Sequence, residues 1–342
     1  MADPSPCGPS PDAVPVVDVV VPTVERPSLA GLFRVLSRTL PAGSTVFVVD
    51  DRPPGAPPLA IGVTDKRLRV VRSGGRGPGA ARNVGWRASG APWIAFVDDD
   101  VDPPLQWVQH LIEDLATAPA DVAAVQGHIE VPLPAGRRPS DWERNVAGLD
   151  GAAWVTADMA VRRSALEQIG GFDERFPRAY REDTDLALRL LDAGWRLTPG
   201  KRRVRHPVRT APWWISVRLQ RGNSDDVLLE RLHGRGWRRH LGVTPGALSS
   251  YPATTALGAV ALAAFAADHR RIAALGAAAW AARTARFAWR RAAPGPRSAA
   301  ELAAVFATSV AIPPVACYHR LRGSLRWRAV VPHSHRQADS VA

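Results

Sequence analysis

The sequence predicts an α/β protein in which a mainly parallel sheet is flanked by helices, with an α-helical appendage in the C-terminal part. Short β-branched runs alternate with segments of helical spacing up to about residue 206, as in βαβ units. The 342 residues are 46% apolar, which is enough to bury a core and excludes the disordered and disulfide-scaffold classes. After Gly200 the composition changes to Ala-rich apolar stretches separated by arginines.

Four apolar runs predict strands in the N-terminal part: Val16–Pro22, Thr45–Val49, Leu68–Val71 and Trp93–Val97. Apolar residues at helical spacing predict the helices that follow them: Leu29–Leu40, Ala80–Ala88 and Leu105–Ala118. This alternation favours parallel pairing, which places the carboxyl ends of the strands at one edge of the sheet. Ligands bind at that edge in sheets of this kind.

The pattern continues less regularly downstream. A strand interrupted by a glycine is predicted over Val122–Val131, and a basic strand or loop over Lys201–His206. Helices are predicted over Ser164–Ile169, Thr184–Ala193 and Ala211–His233. Three Ala-rich apolar stretches follow: Tyr251–Ala267, Ile272–Ala282 and Leu302–Cys317.

Charge divides the chain into two parts of opposite sign. Residues 1–200 carry 21 Lys and Arg against 26 Asp and Glu, and residues 201–342 carry 23 against 6, so the net charges are −5 and +17. Together with the composition, this predicts a disordered arm (1–15), an α/β domain (16–210), a basic, Ala-rich helical region that associates with membranes (211–330) and a disordered tail (331–342).

Acidic residues follow two of the predicted strands directly. Asp50-Asp51 ends the second strand and Asp98-Asp99-Asp100 ends the fourth. Carboxylates gathered at a strand end repel one another, and Mg²⁺ or Mn²⁺ prefers oxygen ligands, so the triplet predicts a divalent cation that binds a diphosphate. The alternative is a solvated acidic loop of capping aspartates.

Arg181-Glu182-Asp183 precedes a predicted helix. A carboxylate there is stabilised by the unpaired N–H groups of the first turn, so capping is one interpretation. The other is a general base that accepts a proton from an acceptor hydroxyl.

Seven ordered blocks resemble a family 2 glycosyltransferase with the GT-A fold, and they extend over about Val16 to His206. The blocks are VVVPT, VVDD, GPGAARNVGW, FVDDD, WVTADMAVRRSAL, GGFDERF and REDTDLALRL. The resemblance implies transfer of a sugar from a nucleotide-diphosphate donor to an acceptor hydroxyl, with inversion at the anomeric carbon. It also implies a GT-A, Rossmann-like sheet.

The resemblance assigns roles residue by residue. Asp183, supported by Glu182, would be the catalytic base, and Asp100 with His206 would hold the metal, although a purely structural His206 stays open. The donor would contact Pro22, Thr23, Glu25, Asp50, Asp51, Arg82, Asp98 and Asp99. Trp154 and Tyr180 would stack on the acceptor sugar, and packing in the core is the alternative for each.

Three positions depart from the family pattern. Asp50-Asp51 is followed by Arg52-Pro53 where DDGS is common, which changes the donor loop. Asp158 stands in place of an asparagine, which would alter a hydrogen bond near the diphosphate, and Val24 replaces an aromatic residue that stacks on the base.

The basic C-terminal part predicts a surface that meets phosphate. Its apolar stretches would span a bilayer, lie on it, or pack as a helical cap. We expect an anionic membrane surface as a partner and no nucleic-acid partner. The expected location is the cytoplasmic face of the cell membrane, with the cytoplasm as the alternative. The acceptor would be a saccharide or a lipid-linked molecule. The alternative function is a catalytically inactive GT-A-like module that binds a nucleotide sugar or a protein partner and is tethered by its tail.

Overall fold

The computed structural model describes residues 15–62, 64–241 and 250–333. The chain divides into two compact units: Met1–Glu130 with Trp154–Pro207, termed here the sheet unit, and Val131–Ala153 with Val208–Ala342, termed the helical unit. The sequence placed 131–153 in the α/β domain, whereas the structure groups this segment with the C-terminal helices. The expected terminal arm and tail lie almost wholly outside the described residues.

The described part of the sheet unit contains a seven-stranded mixed sheet in the order β3-β2-β1-β4-β6-β5-β7, in which β6 is antiparallel to both neighbours. The strands are β1 Val17–Thr23, β2 Val46–Asp50, β3 Leu68–Arg72, β4 Trp93–Val97, β5 Val122–Glu130, β6 Asp158–Arg162 and β7 Arg196–Arg205. Its helices are α1 Leu29–Thr39, α2 Pro78–Ala88, α3 Trp107–Ala116, α5 Arg163–Ile169 and α6 Glu182–Asp192. The predicted fold class is therefore confirmed.

The core forms where β-branched and aromatic side chains of the central strands meet the covering helices. β2 and β4 are buried along their whole length, which explains why their sequences are apolar throughout. Helix α2 approaches β1 and β2 closely because Gly85 has no side chain: a Cβ there would clash with Val20 and lie 3.0 Å from Val49 Cγ2. This contact fixes α2, which carries Arg82, against the sheet.

We expect Gly85→Ala to lower the free energy of unfolding by about 1–3 kcal/mol, because an added methyl group overpacks this contact. Urea unfolding followed by circular dichroism measures the change. Gly90→Ala is the matched control, because the space around a Cβ at that position is open, and it should change stability by no more than about 0.5 kcal/mol. Equal stability of the two variants would contradict close packing at Gly85.

Strand β6 and helix α4 (Asp141–Ala147) were not predicted from the sequence. Strand β6 lies in a segment whose ends are charged, and it becomes a strand by pairing between β4 and β5. Helix α4 begins with a capping box in which Ser140 and Glu143 satisfy each other's backbone N–H groups. Its sequence signal is a serine followed three residues later by a glutamate.

The predicted helix Ala211–His233 is broken in the structure. It consists of α7 Ile215–Arg218, a 3₁₀ turn over Leu219–Gly222 and α8 Asn223–His233. The Asn223 amide donates to the Gln220 carbonyl (2.8 Å), and the Gln220 amide donates to the Ser216 carbonyl (2.9 Å). Such side-chain bonds compete with helical backbone bonds, and Gly222 disfavours a continuous helix.

In its described residues, the helical unit also contains α9 Trp237–His240, α10 Tyr251–Ala266, α11 Arg270–Ala292 and α12 Ala299–Arg326. Helix α11 continues well beyond the predicted apolar stretch, through Arg283. The Arg291 guanidinium joins several elements of this unit, donating to Asp141 Oδ2 (2.6 Å), Ser216 Oγ (3.1 Å) and Ser309 Oγ (2.7 Å). An arginine with these partners holds α4, α7 and α12 in one arrangement.

Candidate active site

The carboxyl ends of β1, β2 and β4 lie side by side at one edge of the sheet. Thr23, the last residue of β1, pairs in register with Asp50, the last residue of β2. The backbone N–H of Asp98, directly after β4, donates to the Ala157 carbonyl (3.2 Å), just before β6. The acidic residues after β2 and β4 therefore lie at one edge, as the parallel pattern predicts.

Asp99 is buried beside Thr23 and Arg26. Thr23 Oγ1 donates to Asp99 Oδ2 (2.6 Å), and the Arg26 guanidinium forms a close ion pair with Asp99. Arg26 Nη1 also lies 3.5 Å from Asp100 Oδ2. Burial raises the pKa of Asp99 above its ordinary value, against the lowering effect of Arg26. Arg26 was not identified from the sequence, because nothing in a lone arginine after β1 indicates that it reaches the loop after β4.

Asp50 is bound by the arginine that departs from the family pattern. Arg52 Nε and Nη2 donate to its two carboxylate oxygens at 2.8 and 2.9 Å, and Arg52 also pairs with Glu25. The hydrogen bond from Arg52 lowers the pKa of Asp50. Asp50 Oδ1 also accepts from the backbone N–H of Arg52 (3.1 Å), whereas Oδ2 keeps a lone pair that can accept from a nucleoside. Arg52 thus contacts both Glu25 and Asp50, two residues for which the sequence predicts donor binding.

Asp51 holds the Gly-rich loop that precedes α2. Its carboxylate accepts hydrogen bonds from the backbone N–H groups of Arg76 and Gly77, both at 3.0 Å, and from Ser73 Oγ (2.7 Å). Gly77 adopts φ 98°, and a Cβ there would lie 2.7 Å from the Pro177 carbonyl oxygen. Asp51 therefore shapes the loop with both oxygens, whereas the sequence assigned it to donor contact.

Arg82 links the acidic loop after β4 to the start of α6. Its buried guanidinium donates to Asp98 Oδ1 (2.7 Å) and to Glu182 Oε1 (2.9 Å). Burial and the neighbouring Asp183 raise the pKa of Glu182, and the Arg82 charge opposes this rise. The sequence assigned Glu182 to catalysis and Arg82 to the donor; the structure shows a shared ion pair that fixes Asp98 relative to α6.

Asp183 lies in the first turn of α6. Its Oδ1 accepts from the backbone N–H of Thr184 (2.7 Å), and its side chain is half-buried. The residue that caps the helix is Arg181, in a left-handed conformation with φ 77°. Burial raises the pKa of Asp183 above its ordinary value. The position is compatible both with stabilising the helix terminus and with accepting a proton at its other oxygen.

Asp100 and His206 come together although 106 positions separate them in the chain. The pairing of Asp102 with Arg205 brings the loop after β4 to the end of β7 (Asp102 N–H to the Arg205 carbonyl, 2.7 Å). His206 Nε2 then lies 3.6 Å from Asp100 Oδ1, with both side chains buried. His206 Nδ1 has no hydrogen-bond partner among the described residues.

This donor set fits a divalent cation. A carboxylate oxygen beside an imidazole nitrogen suits Mn²⁺, and Mg²⁺ to a lesser degree, because Mg²⁺ prefers oxygen ligands. Asp99 is the member of the triplet turned toward Thr23 and Arg26, and Asp98 is turned toward Arg82. Asp100 also lies near Arg26, and the metal-holding role of Asp100 and His206 stays a prediction.

The two aromatic residues assigned to the acceptor differ in their surroundings. Trp154 packs against the hydrophobic core and adopts φ 62°, which is unusual for a bulky side chain. Tyr180 is exposed, and the Arg181 guanidinium carbon lies 4.5 Å from the centre of its ring. Pro22 is half-buried and aligned with Val49 on β2. Tyr180 thus lies at the surface with Arg181 over its ring, Trp154 contacts the core, and the acceptor role of each stays a prediction.

Asp158 lies in the interior of the sheet unit. Its two oxygens accept from Arg202 Nε (2.8 Å) and from Trp107 Nε1 (3.0 Å). Arg202 is fully buried and also pairs with Asp114 (3.0 Å). The aspartate at this position therefore balances a buried arginine, in contrast to the expected effect near the diphosphate. Nothing in the sequence separates Arg202 from its basic neighbours in β7.

A mainly parallel sheet with an acidic loop after its fourth strand is the arrangement of the GT-A fold. Residues 18–169 match the family model of glycosyl transferase family 2. A mannosyltransferase from Pyrobaculum calidifontis, solved in complex with GDP-Man and Mn²⁺, shares the fold over 93% of this chain and 90% of its own, with a TM-score of 0.50 and 18% identity.

Two curated relatives come from Mycobacterium tuberculosis. The pre-mycofactocin glycosyltransferase is 32% identical over 200 residues, which is 53% of this chain and 40% of that protein. The N-acetylglucosaminyl-diphospho-decaprenol L-rhamnosyltransferase is 51% identical over 53 residues, or 16% of this chain and 15% of that protein. The chain thus spans less than half the length of these relatives.

Proposed function

We propose that the protein is an inverting, metal-dependent glycosyltransferase that moves a sugar from a nucleotide-diphosphate sugar to an acceptor hydroxyl. The observation that carries this proposal is the connection of Asp183 to the acidic loop. Glu182, its neighbour, is joined through Arg82 to Asp98, so the candidate base and the candidate donor loop are held in one buried ion-pair chain. The mannosyltransferase of similar fold was solved with GDP-Man and Mn²⁺, which supports a nucleotide-diphosphate sugar as the donor.

The donor would bind along the edge formed by β1, β2 and β4. The nucleoside would lie against Pro22, Thr23 and Asp50, with Arg52 and Glu25 closing the pocket. Its ribose would be near Asp98. A divalent metal held by Asp100 and His206 would supply charge that stabilises the diphosphate as it leaves.

Asp183 would act on the acceptor. As the acceptor oxygen forms its bond to the anomeric carbon, the bond from that carbon to the diphosphate oxygen breaks, and its electron pair goes to the diphosphate. The acceptor's proton passes to the free oxygen of Asp183. A single displacement with one base inverts the anomeric configuration.

We expect Asp100→Ala and His206→Ala each to weaken Mn²⁺-dependent binding of UDP or GDP by about tenfold or more, because each removes one ligand of the proposed site. Isothermal titration calorimetry with and without Mn²⁺ measures this. A variant of opposite expected effect is Arg26→Gln, which removes a guanidinium 3.5 Å from Asp100 Oδ2, and we expect it to tighten Mn²⁺ binding. Unchanged Mn²⁺ dependence in Asp100→Ala would mean that Asp100 is not a ligand of the metal.

The deciding test of activity is a transfer assay. The full chain is incubated with Mn²⁺ and a panel that includes UDP-glucose and GDP-mannose, and release of the nucleoside diphosphate and the anomer formed are measured. Transfer with inverted configuration supports the proposal. Nucleotide binding without hydrolysis or transfer across the panel would instead favour the inactive binding module.

We propose a saccharide or lipid-linked hydroxyl as the acceptor. The two curated relatives are named for different acceptors, pre-mycofactocin and an N-acetylglucosaminyl-diphospho-decaprenol, so their names support a hydroxyl acceptor without favouring one class. We also propose that the protein works at the cytoplasmic face of the cell membrane. The net charge of +17 over residues 201–342 supports this location, because that leaflet is anionic.

A further inference from the structure

The hairpin formed by α10 and α11 exposes large apolar side chains at its closed end. Leu262 and Phe265 on α10 are 74% and 73% exposed, and Ile272 and Leu275 on α11 are 52% and 73% exposed. Within each helix the two residues are three positions apart, so they share a face. These four residues are termed here the hairpin surface.

The two helices hold this surface in a fixed arrangement. A Cβ at Gly276 would lie 3.2 Å from the Ala261 Cβ, and one at Gly258 would lie 3.1 Å from the Trp280 ring, so small residues let the helices approach closely. The contact at Ala261 is adjacent to Leu262, and the contact at Gly276 is adjacent to Leu275. Apolar side chains flanking a close helix contact yet facing outward indicate a surface that binds something else.

Two arginines lie beside the hairpin surface, and the helices that follow are rich in arginine. Arg270 and Arg271 lie at the closed end and are exposed. From residue 251 to residue 333 the chain has 11 arginines against two acidic residues, Asp268 and Glu301. A protein partner for such a surface would have to be strongly acidic and apolar at once. An anionic lipid surface combines both properties, because headgroup charge lies directly above hydrocarbon.

The length of the uncharged part of α11 limits how deep the hairpin could enter a bilayer. Between Arg271 and Arg283, α11 has 11 uncharged residues, which span about 16 Å, roughly half of a hydrocarbon core. The hairpin therefore matches the interfacial zone better than a full crossing.

Helix α12 is the one described helix whose length and composition would allow a crossing, with a mean hydropathy of 1.6, a property that core helices of soluble proteins share. One face of α12 is already committed to the helical unit. Its Ser309 accepts from Arg291, and its Arg320 pairs with Glu230 on α8 at 2.6 Å. Inserting α12 would carry these charged groups toward the lipid, at a high cost in free energy.

We propose that the hairpin surface inserts into the headgroup region of an anionic membrane, with Arg270 and Arg271 at the phosphate level. The helical unit then holds the protein on the membrane without spanning it. This inference does not depend on the proposed glycosyl transfer, because it concerns lipid binding in the absence of any donor.

The test is sedimentation of the full chain with vesicles of phosphatidylcholine, with and without phosphatidylglycerol. We expect strong binding only with phosphatidylglycerol, and release by high salt. Leu262→Ser combined with Phe265→Ser should reduce partitioning by at least roughly tenfold, because two large apolar side chains leave the lipid. Arg270→Glu combined with Arg271→Glu should remove most of the preference for phosphatidylglycerol.

Matched variants in the sheet unit control for general effects. Val70→Ser alters an exposed apolar residue of β3, and Arg34→Glu with Arg38→Glu changes the net charge on α1 by the same amount as the hairpin reversal. Both should bind vesicles as the parent chain does. Three results would overturn the proposal: hairpin variants that bind normally, a bound fraction that only detergent releases, or a dimer in solution that the serine variant dissociates.

Discussion

Replacing Asp183 with asparagine should lower turnover by about a hundredfold or more while leaving metal-dependent nucleotide binding nearly unchanged. The size of this loss is that of removing a general base. Asparagine keeps the shape of the side chain and can still accept from the Thr184 N–H, which holds Asp183 at 2.7 Å, so the helix start is preserved. Transfer kinetics at saturating donor, together with calorimetry of UDP or GDP binding with Mn²⁺, measure the two effects separately.

The pH profile gives a second readout for the same residue. A general base must be ionised, and burial raises the pKa of Asp183. Activity should therefore rise with pH through a value above that of an ordinary aspartate, and this acidic limb should be absent from the residual activity of Asp183→Asn. The control is Asp192→Asn, a change at an exposed acidic residue of the same helix, which should keep the acidic limb. If Asp183→Asn retained most of its turnover, the role of Asp183 would be only to stabilise the start of α6.

Replacing Arg82 with methionine should lower the free energy of unfolding at neutral pH by about 3–5 kcal/mol, because it leaves Glu182 buried without its partner. Both side chains of this ion pair are only 2% exposed, so water cannot take over the lost interaction. Donor binding should also weaken, since Asp98 loses the guanidinium that positions it at 2.7 Å. Chemical unfolding and nucleotide calorimetry test the two expectations.

A double variant separates the ion pair from simple loss of packing. Arg82→Met with Glu182→Gln removes both charges and should be more stable than Arg82→Met alone. A lower pH should likewise bring the stability of the single variant Arg82→Met closer to that of the parent chain. The folded pKa of Glu182 is raised, so the folded state holds this proton more tightly than the unfolded chain, and the stability deficit should shrink as pH falls. A deficit that the second substitution leaves unchanged would show that Arg82 acts through packing.

Most of the sheet unit was predictable from the sequence, because its signals are local. β-branched runs such as Val46–Asp50 and helical spacing such as Leu29–Thr39 depend only on neighbouring residues. The same alternation predicted parallel strands, and parallel strands bring Asp50 and the Asp98 triplet to one edge. Strand β6 was missed, because only its pairing with β4 and β5 makes Asp158–Arg162 a strand.

The sequence by itself determined the α/β class, the acidic edge and the family resemblance, since each is written in residues close together along the chain. Only the tertiary structure decided which partners those residues have. It assigned Asp51 to the Gly-rich loop, placed Arg26 against Asp99, and joined Glu182 to Asp98 through Arg82. Such contacts join residues up to 100 positions apart, and long charged side chains reach their partners only after the strands have paired, so no local pattern encodes them.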